Sequence, residues 1–545
     1  MPAARSASSE ERDSVRTALL VAAATLLVFS RSLTAGFLDL DDPFFVVQNA
    51  HLRQLTWVNL RWMFSLDWIL WYPLTWLTYA ADYAVWGLRP AGYHLTSVLL
   101  HALNAGLAYR LFDRLMLRSG AREELPRRAA AACGALFFAL NPLRVESVTW
   151  VSERSDVLSG AFSLATALAW VEGLGVQALL LHAAALASKS VSMTVPAALG
   201  LVDALGLSGR RWPGFRREVR ALAPMLVLSA AAAGLAAWSQ VRVGAAASFD
   251  QFGLANRLAV VAWSYAHGLA KTFVPVGLEG FYPTPHPFRA DEPRFLLAAA
   301  LVALVSVLAW RRRRTAPAFA AAWGAYLVIM APTAGFLKVG AQLICDRYTY
   351  LSALGIAGLA AEALRRALSS RRRTSILAAA ATGLIALSAL SWARQGDWMN
   401  ADRFWGAMAE ADEGNAIARF SLARCRLKEN RPAEAEILLR QALAIDSTLT
   451  VARIKLGTLL FDTGRTAEAI ADYRAAIAAS PRNPFVRYNL ALALASLGRR
   501  AEAEQELRDE LGLIAAAPRD PLRDELHLEP DEARTRALLD ALLRR

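Results

Sequence analysis

The sequence predicts an all-α chain in two parts, a polytopic helical membrane domain of about eleven spans and a C-terminal α-solenoid. Three observations predict it. Apolar runs long enough to cross ~30 Å of hydrocarbon recur between residues 17 and 392 and then stop. Arginines cluster in the gaps between those runs, as Arg127-Arg128, Arg210-Arg211, Arg216-Arg217, Arg311 to Arg314 and Arg371 to Arg373, which is how cytoplasmic loops are marked. Leu422, Leu456 and Leu490 recur every 34 residues. Asn430, Gly464 and Gly498, then Glu434, Glu468 and Glu502, then Ala435, Ala469 and Ala503 keep the same step, the period of stacked helix–turn–helix units.

Residues 1–16 are polar, with Arg5, Arg12 and Arg16, and are expected on the cytoplasmic side. The membrane domain covers 17–396, and its first span, about 17–36, has no convincing small-residue cleavage site, so it is expected to be retained. It leads straight into Gly36-Phe37-Leu38-Asp39-Leu40-Asp41-Asp42-Pro43-Phe44-Phe45, three carboxylates within four residues at the point where a span meets water. The loop to about residue 92 is dense in aromatics (Trp57, Trp62, Trp68, Trp71, Tyr72, Trp76, Tyr79, Tyr83 and Trp86). That density suits the membrane–water interface and amphipathic helices lying on the bilayer. Further spans are expected at about 91–117, 129–144, 157–172, 176–188, 191–207, 221–239, 294–310, 316–333, 349–364 and 375–392. The run 257–277 is expected to be re-entrant or interfacial. The loop after it, Phe281 to Pro287 with His286, is not basic, and a full crossing would put Arg311 to Arg314 on the wrong side. An odd number of crossings places residues 397–545, whose clear repeats span 417–514, on the side of the acidic cluster. The 34-residue register with small residues at fixed places is that of tetratricopeptide repeats, which close with a capping helix.

A net charge of +13 invites a nucleic-acid reading, but the arginines sit in loops between apolar runs, so no nucleic acid is expected as partner. Cys133, Cys345 and Cys425 are odd in number and far apart, which gives neither a disulfide framework nor metal-ligand spacing. The Ala/Arg-rich composition suggests a bacterial chain, hence the inner membrane with the repeats and the site on the periplasmic face.

Ionisable groups at the membrane are costly and tend to be functional. Asp41 and Asp42, supported by Asp39, suit a general base acting on a hydroxyl, and equally suit a helix start capped before Pro43. Arg144, Glu146, Arg154 and Asp156 stand at the outer ends of two spans. An arginine fork suits phosphate, and such charges also pair with one another. His94 and His101 lie seven apart on one helix face near Asn104. With no acidic or thiol partner at ligand spacing, interhelical hydrogen bonding is favoured over a metal. Lys189 interrupts two short apolar runs and wants an anion, and Asp346-Arg347 opens a late span.

In this order, the acidic pair, His94-Leu95-Thr96-Ser97-Val98-Leu99-Leu100-His101-Ala102-Leu103-Asn104, Asn141-Pro142-Leu143-Arg144-Val145-Glu146-Ser147-Val148, Trp150 to Ser159, Ser188-Lys189, Asp346-Arg347-Tyr348 and a tetratricopeptide tail, the chain resembles the transmembrane and tetratricopeptide repeat-containing O-mannosyltransferases in their bacterial branch. The resemblance covers nearly the whole chain. It implies a GT-C glycosyltransferase fold, a polyprenyl-phosphate-linked sugar as donor substrate, and chemistry at the outer membrane face. It also implies an acidic first-loop residue as catalytic base, here Asp41 or Asp42, and basic residues on the lipid phosphate, for which Arg144, Arg154, Lys189 and Arg347 are the candidates. Members usually carry His where this chain has Asn141. The function expected is inverting transfer of a mannose-like sugar to a hydroxyl of a protein recruited by the repeats. The alternatives are transfer to a glycolipid, and a non-catalytic membrane scaffold for an envelope complex. No Gly-rich nucleotide motif is present, which suits a lipid donor, and no cofactor is called for by the residues.

Overall fold

The computed structural model describes residues 2–66, 70–209, 214–242, 247–285, 287–340, 342–481, 483, 485–516 and 532–544, with side chains from residue 10 onward except at 485; Trp68, Arg210, Arg211 and His286 lie outside this set. The chain forms two compact units, 1–400 and 401–545.

In the first unit, α1 (Pro2–Phe29) leads into a loop holding α2 (Trp57–Phe64) and α3 (Pro73–Trp86). Then come α4 (Pro90–Arg118), α5 (Glu124–Ala139), the short α6 (Val145–Thr149), α7 (Arg154–Val171), α8 (Gly175–Ser188), α9 (Val195–Ala204) and α10 (Phe215–Arg242). The unit closes with α11 (Leu254–Phe273), α12 (Pro293–Arg312), α13 (Pro317–Met330), α14 (Thr349–Leu368) and α15 (Arg373–Gln395). A two-stranded antiparallel ribbon pairs β1 (Tyr282–Pro283) with β2 (Gln342–Ile344). Small residues let the helices approach closely. A Cβ on Gly134 of α5 would meet Ala361 of α14 at 2.5 Å, and one on Gly355 of α14 would meet the Ala322 carbonyl of α13 at 2.8 Å.

The bundle has two chemically distinct ends. At the basic end, Arg110 and Arg114 of α4 pair with Glu11 of α1 at 2.6 and 2.8 Å, and Arg127 pairs with Asp113 at 3.1 Å. At the other end Ser32 donates to Gln395 and lies 2.8 Å from the Thr149 hydroxyl, while the Gly36 amide donates to the Met399 carbonyl at 2.9 Å. Residues 1–400 therefore enter at the basic end and leave beside the acidic cluster.

Several expected boundaries move. Residues 10–16 are not a separate tail, because α1 runs through them from Pro2. The span expected at 129–144 ends at Ala139, since Asn141 precedes Pro142 and the residue before proline is pushed out of the α region. The span expected at 191–207 is a 3-10 turn over 190–194 and then the ten-residue α9. Among the described residues four helices, including α10 and α12, are long and apolar enough by themselves to cross a membrane. The other expected crossings fall on short helices such as α8 and α13, or on helices such as α4 and α7 that turn many of their polar residues into the bundle. Both ends of α11 touch loops of the acidic end. Arg257 donates to the Phe336 carbonyl at 2.7 Å, and Thr272 accepts from Asn141 at 2.9 Å. A helix with both ends on one face lies along the bundle end rather than crossing.

The first loop is more than an interfacial belt. Trp62, Trp76 and Tyr79 are buried with Val46, Leu52 and Tyr93 in a core of their own, whereas Trp57 is exposed. This loop core carries the acidic cluster as a rigid element.

The second unit is a stack of helical pairs: α16 (Ala401–Ala411), α17 (Ala416–Lys428) with α18 (Pro432–Ile445), α19 (Thr450–Asp462) with α20 (Thr466–Ala479), and α21 (Phe485–Ser496) with α22 (Arg500–Ala516). A last helix, α23 (Glu532–Leu543), packs Leu538, Leu539 and Leu542 on the repeat core. The alanines of the 34-residue register, Ala435, Ala469 and Ala503, are fully buried where paired helices touch. Gly457 is needed for the same reason, since a Cβ there would lie 2.7 Å from the buried Tyr473 ring. Gly457→Val is expected to cost about 1–3 kcal/mol through overpacking, read as an earlier thermal loss of helical ellipticity.

Candidate functional site

The acidic end gathers side chains from several elements. Pro43 at the head of a π-turn over 43–47 fixes the backbone so that the two aspartates face opposite ways. Asp42 points inward and is fully buried. Its carboxylate accepts from the Leu38 amide at 2.8 Å, the Ser152 amide at 2.9 Å and the Ser152 hydroxyl. Burial, only partly offset by those donors, pushes its carboxyl up to about 6. Asp41 points outward and is exposed, and its carboxylate has no hydrogen bond or ion pair among the described residues. Loss of surrounding water and the Glu153 charge raise its affinity for a proton, and Arg347 opposes them.

Beside Asp41 lies an ion-pair network. The 3-10 turn Val151–Glu153 and the first turn of α7 supply Glu153 and Asp156, the break after α8 supplies Lys189, and the 3-10 turn Asp346–Tyr348 supplies Arg347. Lys189 Nζ lies 2.6 Å from Glu153 and 2.8 Å from Asp156. Arg347 bridges Glu153, at 3.1 Å, and Glu146, to which its backbone amide also donates at 2.9 Å. Burial raises Glu146 against the pull of Arg347, whereas at Glu153 burial is outweighed by Lys189 and Arg347, which hold it low. Both cations keep hydrogens to spare. Lys189 uses two of its three N–H donors on carboxylates, and Arg347 Nη2 has no partner among the described residues.

The four candidate phosphate ligands therefore divide. Lys189 and Arg347 keep side-chain exposures of 16% and 14%, whereas Arg144 and Arg154 are 1% and 0% exposed. Arg144 donates to the Thr349 carbonyl at 2.9 Å and to its hydroxyl at 2.5 Å, next to the Phe138 and Tyr350 rings. Arg154 pairs with Asp82 at 2.5 Å, donates to the Tyr93 carbonyl and lies over the Tyr79 ring. Both guanidiniums are thus turned into the bundle, Arg154 against an acid and Arg144 against the start of α14.

The remaining candidates support the site from behind. His101 lies 2.8 Å from the Tyr350 hydroxyl and 3.0 Å from the Ala139 carbonyl, an interhelical bond, and Asn104 donates to the same hydroxyl. His94 is buried against the loop that leads to Asp39. Asp39 is half-buried and engaged within the structure. Asp346 accepts from the Tyr282 hydroxyl at 2.9 Å and lies 3.7 Å from Arg394, anchoring the β-ribbon and the end of α15 beneath Arg347. Asn141 caps the turn after α5 and donates to Thr272. Among the described residues no set of three His, Cys, Asp or Glu is grouped to hold a metal.

Sequence patterns did not single out Glu153, Ser152, Tyr72 or Asp82 as site residues. Glu153 joins both cations, Ser152 holds Asp42, and Tyr72 sits by Lys189 and Ser190. An isolated acid on an apolar helix, as Asp82 is on α3, is the one signal that pointed to a buried pair.

A tetratricopeptide repeat family model matches residues 389–449 and 454–521. Among curated proteins, the protein O-mannosyl-transferase Tmtc3 of Drosophila melanogaster is 35% identical over 115 residues, 19% of this chain and 12% of that one. The protein O-mannosyl-transferase Tmtc1 of the same fly is 29% identical over 147 residues, 26% of this chain and 16% of that one. The Homo sapiens protein O-mannosyl-transferase TMTC4 is 30% identical over 166 residues, 28% and 22%. The matched stretches thus span less than a quarter of these relatives. A solved structure of the Yersinia enterocolitica type III secretion translocator chaperone SycD matches 25% of this chain and 96% of that one at 22% identity, with a TM-score of 0.21, too low to carry an argument. The chain carries tetratricopeptide repeats and, over part of its length, is similar to protein O-mannosyl-transferases.

Proposed function

We propose that the chain is an inverting membrane glycosyltransferase of GT-C type, moving a mannose-like sugar from a polyprenyl-phosphate carrier to a hydroxyl of a protein held by the tetratricopeptide arm. The observation that carries this reading is the contrast within the acidic pair: Asp41 is an accessible carboxylate, unpaired among the described residues, that feels Glu153 and Arg347, and Glu153 joins Arg347 to Lys189, both cations with N–H groups to spare. The acceptor oxygen attacks the anomeric carbon and Asp41 takes its proton. The bond from that carbon to the phosphate oxygen breaks, and its electron pair leaves with the lipid phosphate, which the free hydrogens of Lys189 and Arg347 hold. One displacement inverts the anomeric centre. Glu153 keeps the two cations together. A small apolar cleft lined by Leu66, Trp71, Tyr72, Leu186 and Trp238 reaches Ser190, next to Lys189, and supports a donor with a lipid tail.

The proposal sets the membrane as a bacterial inner membrane, with the site and the arm both on the periplasmic face. It is tested with purified full-length protein given polyprenyl-phosphate mannose and envelope proteins as acceptors, reading sugar on protein and free polyprenyl phosphate together. No release of lipid phosphate with any acceptor, or labelling of Leu40 and Tyr488 from opposite sides of the membrane, rejects it.

The pH profile carries a signature. A base works only when deprotonated, so the rate falls as pH drops through the Asp41 pKa, which lies above the ordinary carboxylate value. Glu153→Gln removes a neighbouring negative charge and should move this acid limb to lower pH. Desolvation, the larger cause, remains and keeps the limb above the free-carboxylate value. A limb that stays put in Glu153→Gln assigns the titration to another group.

A further inference from the structure

We propose that the basic end of the bundle holds one anionic phospholipid, with an acyl chain in the cavity between α4, α7, α9, α13 and α14 and its phosphate on Arg365 and Arg366. The cavity is half-open, has a volume of about 370 Å³, and is lined by apolar side chains such as Leu111, Phe112, Leu199, Ala322, Leu351 and Gly358. Helix interiors rarely leave voids larger than a water molecule, and water does not fill a purely apolar one. An acyl chain is the apolar fluid a bilayer offers.

The rim says which lipid. Glu362, Arg365 and Arg366 border the cavity. The single Glu362 carboxylate takes Arg365 through two hydrogen bonds, 2.7 and 2.9 Å, and Arg366 through one of 2.8 Å. One negative and two positive charges leave this triad at +1, with Arg366 63% exposed in its side chain. Glu123 is the other carboxylate that Arg365 feels. In sequence, Arg311 to Arg314 precede Pro317 and Ala318, which line the cavity, and Arg371 to Arg373 follow α14. A basic pocket between helices at a membrane face suits an anionic headgroup. Arg365 lies ~27 Å along α14 from Arg347, so this site is separate from the candidate transfer site.

The test is native mass spectrometry of full-length protein, delipidated in detergent and given phosphatidylglycerol, phosphatidylethanolamine or undecaprenyl phosphate one at a time. The expected result is one phosphatidylglycerol per chain, held about tenfold more tightly than phosphatidylethanolamine or undecaprenyl phosphate. Arg366→Glu, an exposed change that leaves packing alone, should abolish that preference. Ala321→Phe, which fills the cavity, should lower phosphatidylglycerol occupancy at unchanged helix content. Equal binding of the two phospholipids, preference for undecaprenyl phosphate, an unaffected Arg366→Glu variant, or pairing of two chains through this face would each overturn the proposal.

Discussion

Asp41→Asn is expected to lower sugar transfer by about 10²–10⁴-fold, the range a positioned general base supplies, while leaving folding and donor binding near wild type. The side chain is exposed and its carboxylate engages no described group, so the amide isostere breaks no contact. Asp42→Asn should do the reverse. Asp42 faces three donors, the Leu38 amide and both the amide and hydroxyl of Ser152. An amide offers one acceptor oxygen, so its NH₂ is left against a donor, and a buried unsatisfied group costs about 1–3 kcal/mol. The first variant should keep its thermal midpoint and lose turnover, and the second should lose midpoint first. The pH behaviour adds a sign. Because burial puts Asp42 at about 6, above an ordinary carboxylate, the folded state binds the proton more tightly than the unfolded chain. Its contribution to stability is therefore largest at low pH and declines as pH rises through that window. Removing Asp42 should flatten that decline. If Asp41→Asn transfers sugar at the wild-type rate in a folded protein, the base lies elsewhere and the proposed chemistry falls.

How far these roles were legible in the sequence depends on range. The helices were readable because hydrophobic runs and loop arginines are local signals, and the repeat arm because Leu422, Leu456 and Leu490 share one period. Helix ends were less so. The turn at Asn141-Pro142 ends α5 short of the expected span end, whereas the break at Lys189-Ser190 falls where Lys189 interrupts the apolar runs. The two aspartates were legible as a pair but not as individuals, since which one faces Ser152 depends on a contact 110 positions away. The arginines were legible as charges but not in their partners, for the same reason. A cation at a span end looks the same in sequence whether it meets a ligand or, like Arg154, an acid on another helix. Tyr350 shows the long-range rule at its plainest, with His101, Asn104 and Phe138 meeting it from two other helices.

Asp82→Ala should destabilise the membrane unit by about 3–5 kcal/mol, the cost of leaving a buried guanidinium without its counter-charge. Arg154 has no exposed surface. Asp82 is its sole ion-pair partner among the described residues, and the other Asp82 oxygen accepts from Thr96 at 2.7 Å. Replacing both members, as Asp82→Leu with Arg154→Met, removes the desolvation of two charges together with their attraction, and such exchanges are often neutral or better. The double variant should thus regain most of the lost stability, short of the Arg154 contacts to the Tyr93 carbonyl and the Tyr79 ring. That recovery separates a cross-link from a ligand. If Arg154 only ties α7 to the first-loop core, the refolded double variant transfers sugar with an unchanged KM for donor. If Arg154 instead holds the lipid phosphate, the double variant is stable and its donor KM rises by tenfold or more, the size expected for losing one charged hydrogen bond. Thermal midpoint and donor KM, measured on the same three proteins, decide between the two, because only a phosphate ligand moves KM after stability has returned.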